Sequence, residues 1–272
     1  MRLLFLGDVM GRAGRDAVAE RLPGLIEQYR FDFVIVNGEN ASHGRGITEA
    51  HYELLRDAGA DVVTLGDHAF DQRELMTAIE RHDTLIRPVN FPPGAPGRGA
   101  ALVTGRNGHQ VLVVNALGRV FMPPMDDPFR ALDAAIAGCP LGEQADAIVV
   151  DFHAEATSET QAMGHYLDGR VSLVVGTHTH IPTSDHRILR GGTGLMGDAG
   201  MCGDYDSVIG MESEEPLNRF ISGLASSRFT PAEGEATLSG VAIETDPETG
   251  LCVSIQPLRI GGSLSQALPS FS

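Results

Sequence analysis

Three apolar runs in this chain end directly in polar side chains that can bind metal ions, and this feature constrains the fold more than any other. The three segments are Leu3–Asp8, Val62–His68 and Leu173–His180. Uninterrupted apolar runs of this kind are typical of buried parallel strands, and the carboxyl ends of parallel strands meet at one edge of an open sheet. The pattern therefore predicts one open sheet that gathers distant residues around a single metal site.

Helices are predicted between these strands. Apolar residues recur with a helical period over Arg15–Tyr29, and shorter helices are predicted at Tyr52–Ala58 and Glu74–Arg81. The regular alternation of strand and helix favours the α/β fold class, with a parallel sheet covered by helices. The remaining predicted elements are the strands Arg2–Leu6, Phe33–Val36, Val62–Leu65, Gln110–Val114, Ala147–Val150, Val171–Val175, Ala236–Ile243 and Cys252–Ile260, and the helices Pro128–Ala137 and Thr160–Leu167.

The length and composition fit one folded domain. Of the 272 residues, 42% are hydrophobic, which is enough for a sizeable core. We predict a single domain over residues 1–260 and a flexible, Gly/Ser-rich C-terminal tail over residues 261–272. The first apolar run is too short for a signal peptide or a membrane span, so we expect a cytoplasmic protein. Three cysteines without a CxxC pair predict reduced thiols.

The strongly acidic charge restricts the partners. The formal net charge is −16, whereas binding to duplex nucleic acid or to an anionic membrane begins with basic side chains that neutralise phosphates. We therefore expect neither of these partners. A small phosphorylated substrate remains compatible with the charge, because bound divalent cations would supply local positive charge.

Candidate metal ligands and a candidate acid follow five of the predicted strands. Taken alone, an aspartate after a strand is usually a turn or helix cap, and a single histidine is usually a core or surface residue. The recurrence of metal-ligand residue types at the ends of several strands favours a metal site instead. In an extended chain, alternate residues point the same way, so the last two histidines could share that site. The candidates are Asp8, Glu39, Asn40, Asp67, His68, His153, His178 and His180.

Two other enzyme classes lack their motifs in this chain. The glycine-containing segment Gly11–Gly14 lies between a strand and a helix, but it does not have the GxGxxG order of a dinucleotide-binding loop. The chain also has no Gly-x-Ser-x-Gly elbow, which disfavours a Ser/His/Asp hydrolase.

At the candidate residues, the chain resembles the calcineurin-like metallophosphoesterase superfamily and, within it, the YmdB-type family of 2′,3′-cyclic-nucleotide phosphodiesterases. This resemblance implies a four-layer α/β sandwich of the metallophosphoesterase type with a binuclear metal centre. It is also compatible with a homo-oligomer. The motifs that carry it span nearly the whole chain and are Gly7–Arg12, Asn37–Asn40, Leu65–His68, Asp151–Glu155, Gly176–His180 and Tyr205–Met211.

The resemblance also implies the two ligand sets. One metal would be held by Asp8, Glu39, Asn40 and His180. The other would be held by Glu39, Asp67, His153 and His178, with Glu39 as the bridge. These are nitrogen and oxygen donors without thiolate, which suits Fe, Mn or Zn; of these, Fe and Mn are our first choices.

The chain departs from the wider pattern at two positions. Many calcineurin-like enzymes have Asp-x-His in the first motif, but Met10 replaces the histidine here, as it is replaced throughout the YmdB-type subgroup. The family pattern Gly-Asn-His has become Gly66-Asp67-His68, so a carboxylate stands where the family has a neutral amide. A carboxylate binds a hard cation more strongly, and it also offsets the positive field that stabilises a phosphoryl transition state. We therefore expect activity that is retained but altered.

These residues predict a phosphodiesterase mechanism. Two divalent metals would lower the pKa of a bridging water, and the hydroxide would attack phosphorus while His68 protonates the departing ribose alkoxide. Two alternatives remain: a phosphomonoesterase or protein phosphatase of the same superfamily, and a metal-bound regulatory protein with negligible turnover. Substrate choice depends on the pocket walls, for which the candidate loops are Pro92–Gly99, Met122–Met125 and Gly200–Asp204.

Overall fold

Two β-sheets form the centre of the molecule. The computed structural model describes residues 1–271. Its strands are β1 (Arg2–Leu6), β2 (Asp8–Val9), β3 (Phe33–Asn37), β4 (Val62–Thr64), β5 (Leu85–Ile86), β6 (Ala100–Thr104), β7 (Gln110–Leu117), β8 (Ala147–His153), β9 (Leu173–Thr177), β10 (Arg187–Ile188), β11 (Gly194–Met196), β12 (Met201–Asp204), β13 (Ala236–Thr245) and β14 (Cys252–Ile260). Its helices are α1 (Gly11–Tyr29), α2 (Glu49–Asp57), α3 (Leu75–Ala78), α4 (Pro128–Ala137), α5 (Thr157–Leu167) and α6 (Glu214–Ser222).

The strands are divided between the sheets in a way that the sequence pattern does not show. The first sheet has the order β2-β12-β13-β1-β3-β4-β5, with β14 paired to β13, and the second has the order β10-β11-β9-β8-β7-β6. Within the first sheet, β1, β3, β4 and β5 are parallel, while β13 runs antiparallel to β1. Within the second, β7, β8, β9 and β11 are parallel. The prediction of one open sheet was therefore wrong, because the parallel strands form two.

The two sheets pack face to face, and helices cover both outer faces. Successive residues of a strand point to opposite faces, so Leu3 and Phe5 of β1 pack towards the second sheet, whereas Leu4 packs with Val18 of α1 on the outside. On the far side of the second sheet, helices α4 and α5 pack against β7, β8 and β9. The four layers through the molecule are therefore helices, first sheet, second sheet and helices, which confirms the predicted four-layer α/β sandwich.

Tertiary contacts set the start of helix α1. The apolar period predicts a beginning at Arg15, but the helix begins at Gly11, three residues after Asp8. Met10 at the N-cap position supplies no side-chain cap. Instead, the backbone N–H of Gly11 donates to the carbonyl of Asn40 at 3.0 Å, and that of Met10 donates to the carbonyl of Cys202 at 2.9 Å. Backbone bonds to distant segments therefore replace the usual side-chain cap.

The end of the chain lies against the first sheet. Arg259 and Ala267 exchange two backbone hydrogen bonds of 2.8 and 2.9 Å, and the Phe271 ring stands edge-on to Phe31 with 6.2 Å between centroids. Ser272 lies outside the described residues, and the flexibility of 261–272 stays a prediction. Within residues 1–271, no helix has both the length and the apolar character that crossing a bilayer requires.

Candidate metal centre

The eight candidate residues meet where the parallel strands of both sheets end. Asp8 lies in β2, and the loops after β3 and β4 carry Glu39, Asn40, Asp67 and His68. From the second sheet, His153 is the last residue of β8, while His178 and His180 follow β9. The site is therefore built from two sheet edges that face each other, and the convergence predicted for a single edge occurs across both.

Glu39, Asp67, His153 and His178 form a four-residue cluster whose donor atoms all lie within 4.8 Å of one another. His153 Nε2 is 3.1 Å from Glu39 Oε1 and 3.1 Å from Asp67 Oδ1. His178 Nδ1 is 3.1 Å from His153 Nε2 and 3.4 Å from Asp67 Oδ1. Two carboxylates and two imidazoles converging at these distances are a donor set for one divalent cation.

Asp8, Asn40 and His180 lie on the other side of Glu39. His180 Nε2 is 4.0 Å from Asp8 Oδ1 and 3.0 Å from Asn40 Nδ2, and Asn40 Nδ2 is 3.3 Å from Glu39 Oε1. A cation would be held by the amide oxygen of Asn40, so binding would require that amide to present Oδ1. Glu39 contacts both groups, which is the arrangement needed for a bridging ligand.

Three observations show that these residues fit metal ions. Asp8 Oδ1 is buried and has no hydrogen-bond partner among the described residues, which is costly for a carboxylate unless a cation binds it. A Cβ on Gly66 would lie 2.1 Å from Glu39 Oε2 and 2.5 Å from His153 Nε2, so glycine is required for the close approach of this loop to the cluster. The donors are all nitrogen or oxygen, a set that suits Fe, Mn and Zn.

Burial and mutual charge shift the titration of the cluster. Burial raises the pKa of Asp8 to about 7. Burial acts in the same direction on Asp67, but hydrogen bonds from His153 and His178 outweigh it and hold its pKa well below the usual range. Burial alone would lower the pKa of His153, yet Glu39 and Asp67 raise it. The carboxylates of this site are therefore ionised only where positive charge lies close to them, and divalent cations would supply such charge.

A buried hydrogen-bond relay fixes the orientation of His153. The Thr177 hydroxyl donates to Asp151 Oδ1 at 2.7 Å, so its single hydrogen is used and it accepts from His153 Nδ1 at 2.8 Å. Asp151 also accepts from Thr64 Oγ1 at 2.5 Å and from Asn37 Nδ2 at 3.1 Å. His153 therefore keeps a proton on Nδ1 and turns Nε2 towards the cluster, where it would bind a cation.

The other two histidines are oriented in similar ways. His180 Nδ1 donates to the carbonyl of Ile209 at 2.7 Å, which turns Nε2 towards Asn40 and Asp8. His178 Nε2 lies 3.2 Å from Glu155 Oε2, which turns Nδ1 towards the cluster. Each ring thus directs one nitrogen at the site, as ligating histidines do.

Strand alternation does not explain why His178 and His180 share the site. β9 ends at Thr177, and His178 and His180 have φ angles of 109° and 65°. Thr179 between them is held by Asp198, whose Oδ2 accepts from its backbone N–H at 2.9 Å and from its hydroxyl at 2.8 Å. The prediction from an extended chain was therefore wrong in its reason, because a turn anchored by Asp198 directs both rings to the site.

His68 lies at the entrance to the cluster and is partly exposed. Its Nδ1 is 3.1 Å from Asp71 Oδ2, and its Nε2 is 3.9 Å from Asp67 Oδ2. Its backbone N–H donates to Glu39 Oε2 at 3.3 Å. The Asp71 carboxylate therefore orients the ring so that Nε2 faces the ligand side chains.

The cluster lies at one side of a cavity of 590 Å³. Polar lining comes from candidate residues, including His68 and His178, together with Arg45, Glu155, Thr179 and Arg219. None of the three loops considered from the sequence lines it. Its apolar wall comes from the segment that includes α6 and consists of Val208, Ile209, Met211, Pro216, Phe220 and Phe229.

Sequence reasoning missed several residues that support the site, of which Asp151, Thr177, Asp198 and Asp71 contact candidate residues directly. A signal existed for Asp151: it lies two residues before His153 in a strand that is otherwise apolar, so both side chains share one face. An unpaired acid in a buried strand needs a partner. No comparable signal marks Asp198, which is distant in sequence from all candidates except the two turn histidines.

Comparison with known proteins agrees with this geometry. The model of the YmdB-like protein family matches residues 4–258. A 2′,3′-cyclic-nucleotide 2′-phosphodiesterase from Bacillus subtilis (strain 168) is 48% identical over 260 residues, which cover 96% of this chain and 97% of that protein.

Solved structures of two relatives have the same fold. A hypothetical protein from Thermus thermophilus is similar with a TM-score of 0.89 and 45% identity, over 97% of this chain and 100% of that one. A protein from Mycoplasma pneumoniae described as a novel phosphatase gives a TM-score of 0.88 and 35% identity, over 96% and 93% of the two chains. On the strength of the family match and of these whole-length similarities, the chain belongs to the YmdB-like protein family.

Proposed function

We propose that this chain is a metal-dependent phosphodiesterase that hydrolyses 2′,3′-cyclic nucleotides. The observation that carries the proposal is the cluster of two carboxylates and two imidazoles whose donor atoms lie within 4.8 Å of one another beside a cavity open to small molecules. The similarity to a Bacillus subtilis 2′,3′-cyclic-nucleotide 2′-phosphodiesterase supports the choice of substrate.

Two divalent cations would be held by the two groups of side chains that share Glu39. Asp8, Glu39, Asn40 and His180 would hold one, and the four-residue cluster would hold the other. The unpartnered Oδ1 of Asp8 supports the first site. Iron, manganese and zinc all suit these donors, and we propose iron or manganese first.

When bound, the cations would lower the pKa of a water and offset the charge of the phosphate oxygens. The residues of the chain supply the rest of the chemistry. His153 and His178 keep their orientation through Thr177 and Glu155. His68, held by Asp71, would donate a proton from Nε2 to the ribose oxygen that leaves phosphorus.

The cavity favours a small substrate. It is concave, it is lined by apolar side chains and a few polar groups, and the chain around it carries a net charge of −16, which opposes docking of a long duplex. A cytoplasmic location and a homo-oligomeric state stay predictions.

Substrate selectivity tests the proposal. Protein stripped of metal and reloaded separately with Mn, Fe(II) and Zn is given 2′,3′-cyclic AMP, 3′,5′-cyclic AMP and a phosphomonoester, and products are resolved by chromatography. We expect metal-dependent turnover that is selective for the 2′,3′-cyclic ester. Preferential hydrolysis of the monoester would favour a phosphatase, and tight metal binding without turnover on any ester would favour a regulatory protein.

The role of His68 is tested with leaving groups of different basicity. An alkoxide needs a proton as it leaves, whereas a nitrophenolate does not. His68→Ala should therefore slow hydrolysis of 2′,3′-cyclic AMP about 10²–10⁴-fold and slow bis(p-nitrophenyl) phosphate much less. His165→Ala, at an exposed position on α5, is the matched control. Equal losses on both substrates would show that His68 is not the acid.

A further inference from the structure

A second cavity adjoins the one beside the metal centre and is lined by arginine. It has a volume of 310 Å³ and its lining side chains are His43, Arg45, Met211, Arg219, Arg228 and Phe229. Within residues 1–271, no carboxylate belongs to this lining, although the chain as a whole carries a net charge of −16. Three of the 20 basic side chains of the protein thus meet at one small concave surface.

The two cavities share part of their walls. Both of them are lined by Arg45, Met211, Arg219 and Phe229, so a ligand with one phosphate at the metal centre could reach the adjoining cavity over these side chains. The adjoining cavity lies on the side away from the ligand histidines, none of which lines it. This arrangement suits a substrate that is longer than the group that reacts.

The arginines differ in how far they are already neutralised. Arg219 is held by Glu215, with Nε 2.7 Å from Oε1, and by the carbonyl of Ser227. Arg45 makes a long ion pair of 3.9 Å with Asp71. The exposed Arg228 guanidinium has no ion pair or hydrogen bond within residues 1–271. Arg228 is therefore free to bind an anion, and Arg45 can be recruited at small cost.

A planar stacking surface lies between the two cavities. The Arg219 guanidinium carbon is 3.9 Å from the centroid of the Phe229 ring, and the bonds to Glu215 and Ser227 fix the guanidinium there. Aromatic rings and guanidinium planes are the surfaces on which unstacked bases of single-stranded RNA are bound, next to cationic grooves that follow the backbone.

We propose that the adjoining cavity binds the phosphate on the 5′ side of the reacting nucleotide, so that the substrate class includes short single-stranded RNA ending in a 2′,3′-cyclic phosphate. This inference rests on the proposed function for the identity of the reacting group. A 5′-phosphate on a cyclic mononucleotide occupies the same position as the first phosphodiester of an oligonucleotide and carries more negative charge at pH 7, so both belong among the substrates tested.

Kinetics with three esters test the inference. Metal-loaded protein is given adenosine 2′,3′-cyclic phosphate, its 5′-phosphorylated form, and the dinucleotide ApA ending in a 2′,3′-cyclic phosphate. We expect kcat/KM to be about tenfold higher for both esters with a second phosphate, and higher still for the dinucleotide if the extra base stacks. Equal values for all three would overturn the proposal. An advantage confined to the 5′-phosphorylated mononucleotide would also overturn the RNA substrate class.

Variants locate the effect. Arg228→Ala should remove the tenfold advantage and leave adenosine 2′,3′-cyclic phosphate unchanged, whereas Arg228→Lys should keep much of the advantage. Arg130→Ala, an exposed position on α4 without an ion pair in the described chain, is the matched control. A loss of equal size on all three esters would mean that Arg228 acts on the reaction itself.

A binding measurement separates this inference from the proposed function. A fluorescent pentanucleotide with a 3′-terminal phosphate is titrated with wild type and with Arg228→Ala. We expect binding about tenfold weaker for the variant and a salt dependence that is reduced by about one phosphate contact. If binding depends on Arg228 but no ester is hydrolysed, the proposed function is wrong and the phosphate-binding role of the adjoining cavity stands. If the esters are hydrolysed but Arg228→Ala binds the pentanucleotide as tightly as wild type, the proposed function stands and the role of the cavity is wrong.

Discussion

Replacing Thr177 by valine should weaken metal binding and destabilise the fold at the same time. The Thr177 hydroxyl accepts from His153 Nδ1 at 2.8 Å and donates to Asp151 Oδ1 at 2.7 Å, and all three side chains are buried. Valine keeps the shape of the side chain but leaves both partners without that bond. His153 Nδ1 loses its partner, which costs about 1–3 kcal/mol, and Asp151, which still accepts from Thr64 and Asn37, loses one bond worth about 0.5–1.5 kcal/mol. We therefore expect the free energy of unfolding to fall by about 1.5–4.5 kcal/mol.

The effect on metal affinity follows from the orientation of the ring. With no acceptor at Nδ1, His153 is free to rotate or to place its proton on Nε2, the nitrogen that faces the cluster. Loss of an outer-shell partner of this kind typically costs 10–100-fold in metal affinity. Affinity is measured by competition with a chromophoric chelator, and stability by urea unfolding of the metal-free protein.

A matched control separates the two effects. Thr193 is also buried, and its hydroxyl donates to the carbonyl of Val171 at 2.7 Å and accepts from the backbone N–H of Gly169 at 3.0 Å, but it contacts no candidate ligand. Thr193→Val should lower stability and leave metal affinity unchanged. The reasoning would be refuted if Thr177→Val bound metal as tightly as wild type, or if Thr193→Val weakened metal binding equally.

Three further predictions concern charge and close packing. Asp67→Asn should weaken divalent-metal binding about tenfold, or about 1.4 kcal/mol, and raise kcat at saturating metal, as competition titrations and kinetics would show. Burial raises the pKa of Asp8 from 3.8 to about 7 in the native state. Between these two values the native state holds a proton that the unfolded state has lost, so the metal-free protein loses about 4 kcal/mol of stability as pH rises from about 4 to 7. Urea unfolding of Asp8→Asn at several pH values should lack this loss. Gly176→Ala would place a Cβ 1.8 Å from the carbonyl oxygen of Gly197, so the free energy of unfolding should fall by more than about 4 kcal/mol. A Cβ on Gly24 in α1 would meet no atom of the described residues within 4 Å, so Gly24→Ala should raise the free energy of unfolding by about 0.5–1 kcal/mol in the same assay.

The ends of strands could be predicted from sequence because their signal is local. The predicted strands at Arg2–Leu6 and Cys252–Ile260 have the bounds of β1 and β14. An apolar run shows where a chain is buried, and the polar residues after it show where it emerges. The eight candidate residues were found in this way, and the structure brings all of them to one place.

Pairing between strands could not be predicted because it depends on distant segments. β13 inserts next to β1 although the two strands lie near opposite ends of the sequence, and no local pattern in either strand specifies the partner. β12, interrupted by Gly203, has too few apolar residues to be recognised as a strand. The division of the fold into two sheets follows from these pairings, so it lay beyond local reasoning.

Helix α6 was not predicted although its sequence carries a helical signal. Leu217, Phe220 and Ile221 recur with a helical period, but Phe220 and Ile221 are 84% and 83% exposed, so this apolar side does not pack on the core. Pro216 lies in its first turn, where proline is tolerated. This segment supplies part of the apolar wall of the cavity, so substrate choice depends on a segment that the sequence analysis left unassigned.

The buried charges of the site imply that metal binding contributes to folding. Asp8, Glu39 and Asp151 are all fully or almost fully buried, and burial raises the pKa of Asp8 and of Asp151. Taking carboxylates out of water costs free energy that the neighbouring histidines offset only in part. Divalent cations bind the assembled site and have no such site in the unfolded chain, so their binding stabilises the native state. Buried carboxylates such as Asp8, which destabilise the metal-free protein, therefore gain stabilising partners when the ions that the proposed chemistry needs are bound.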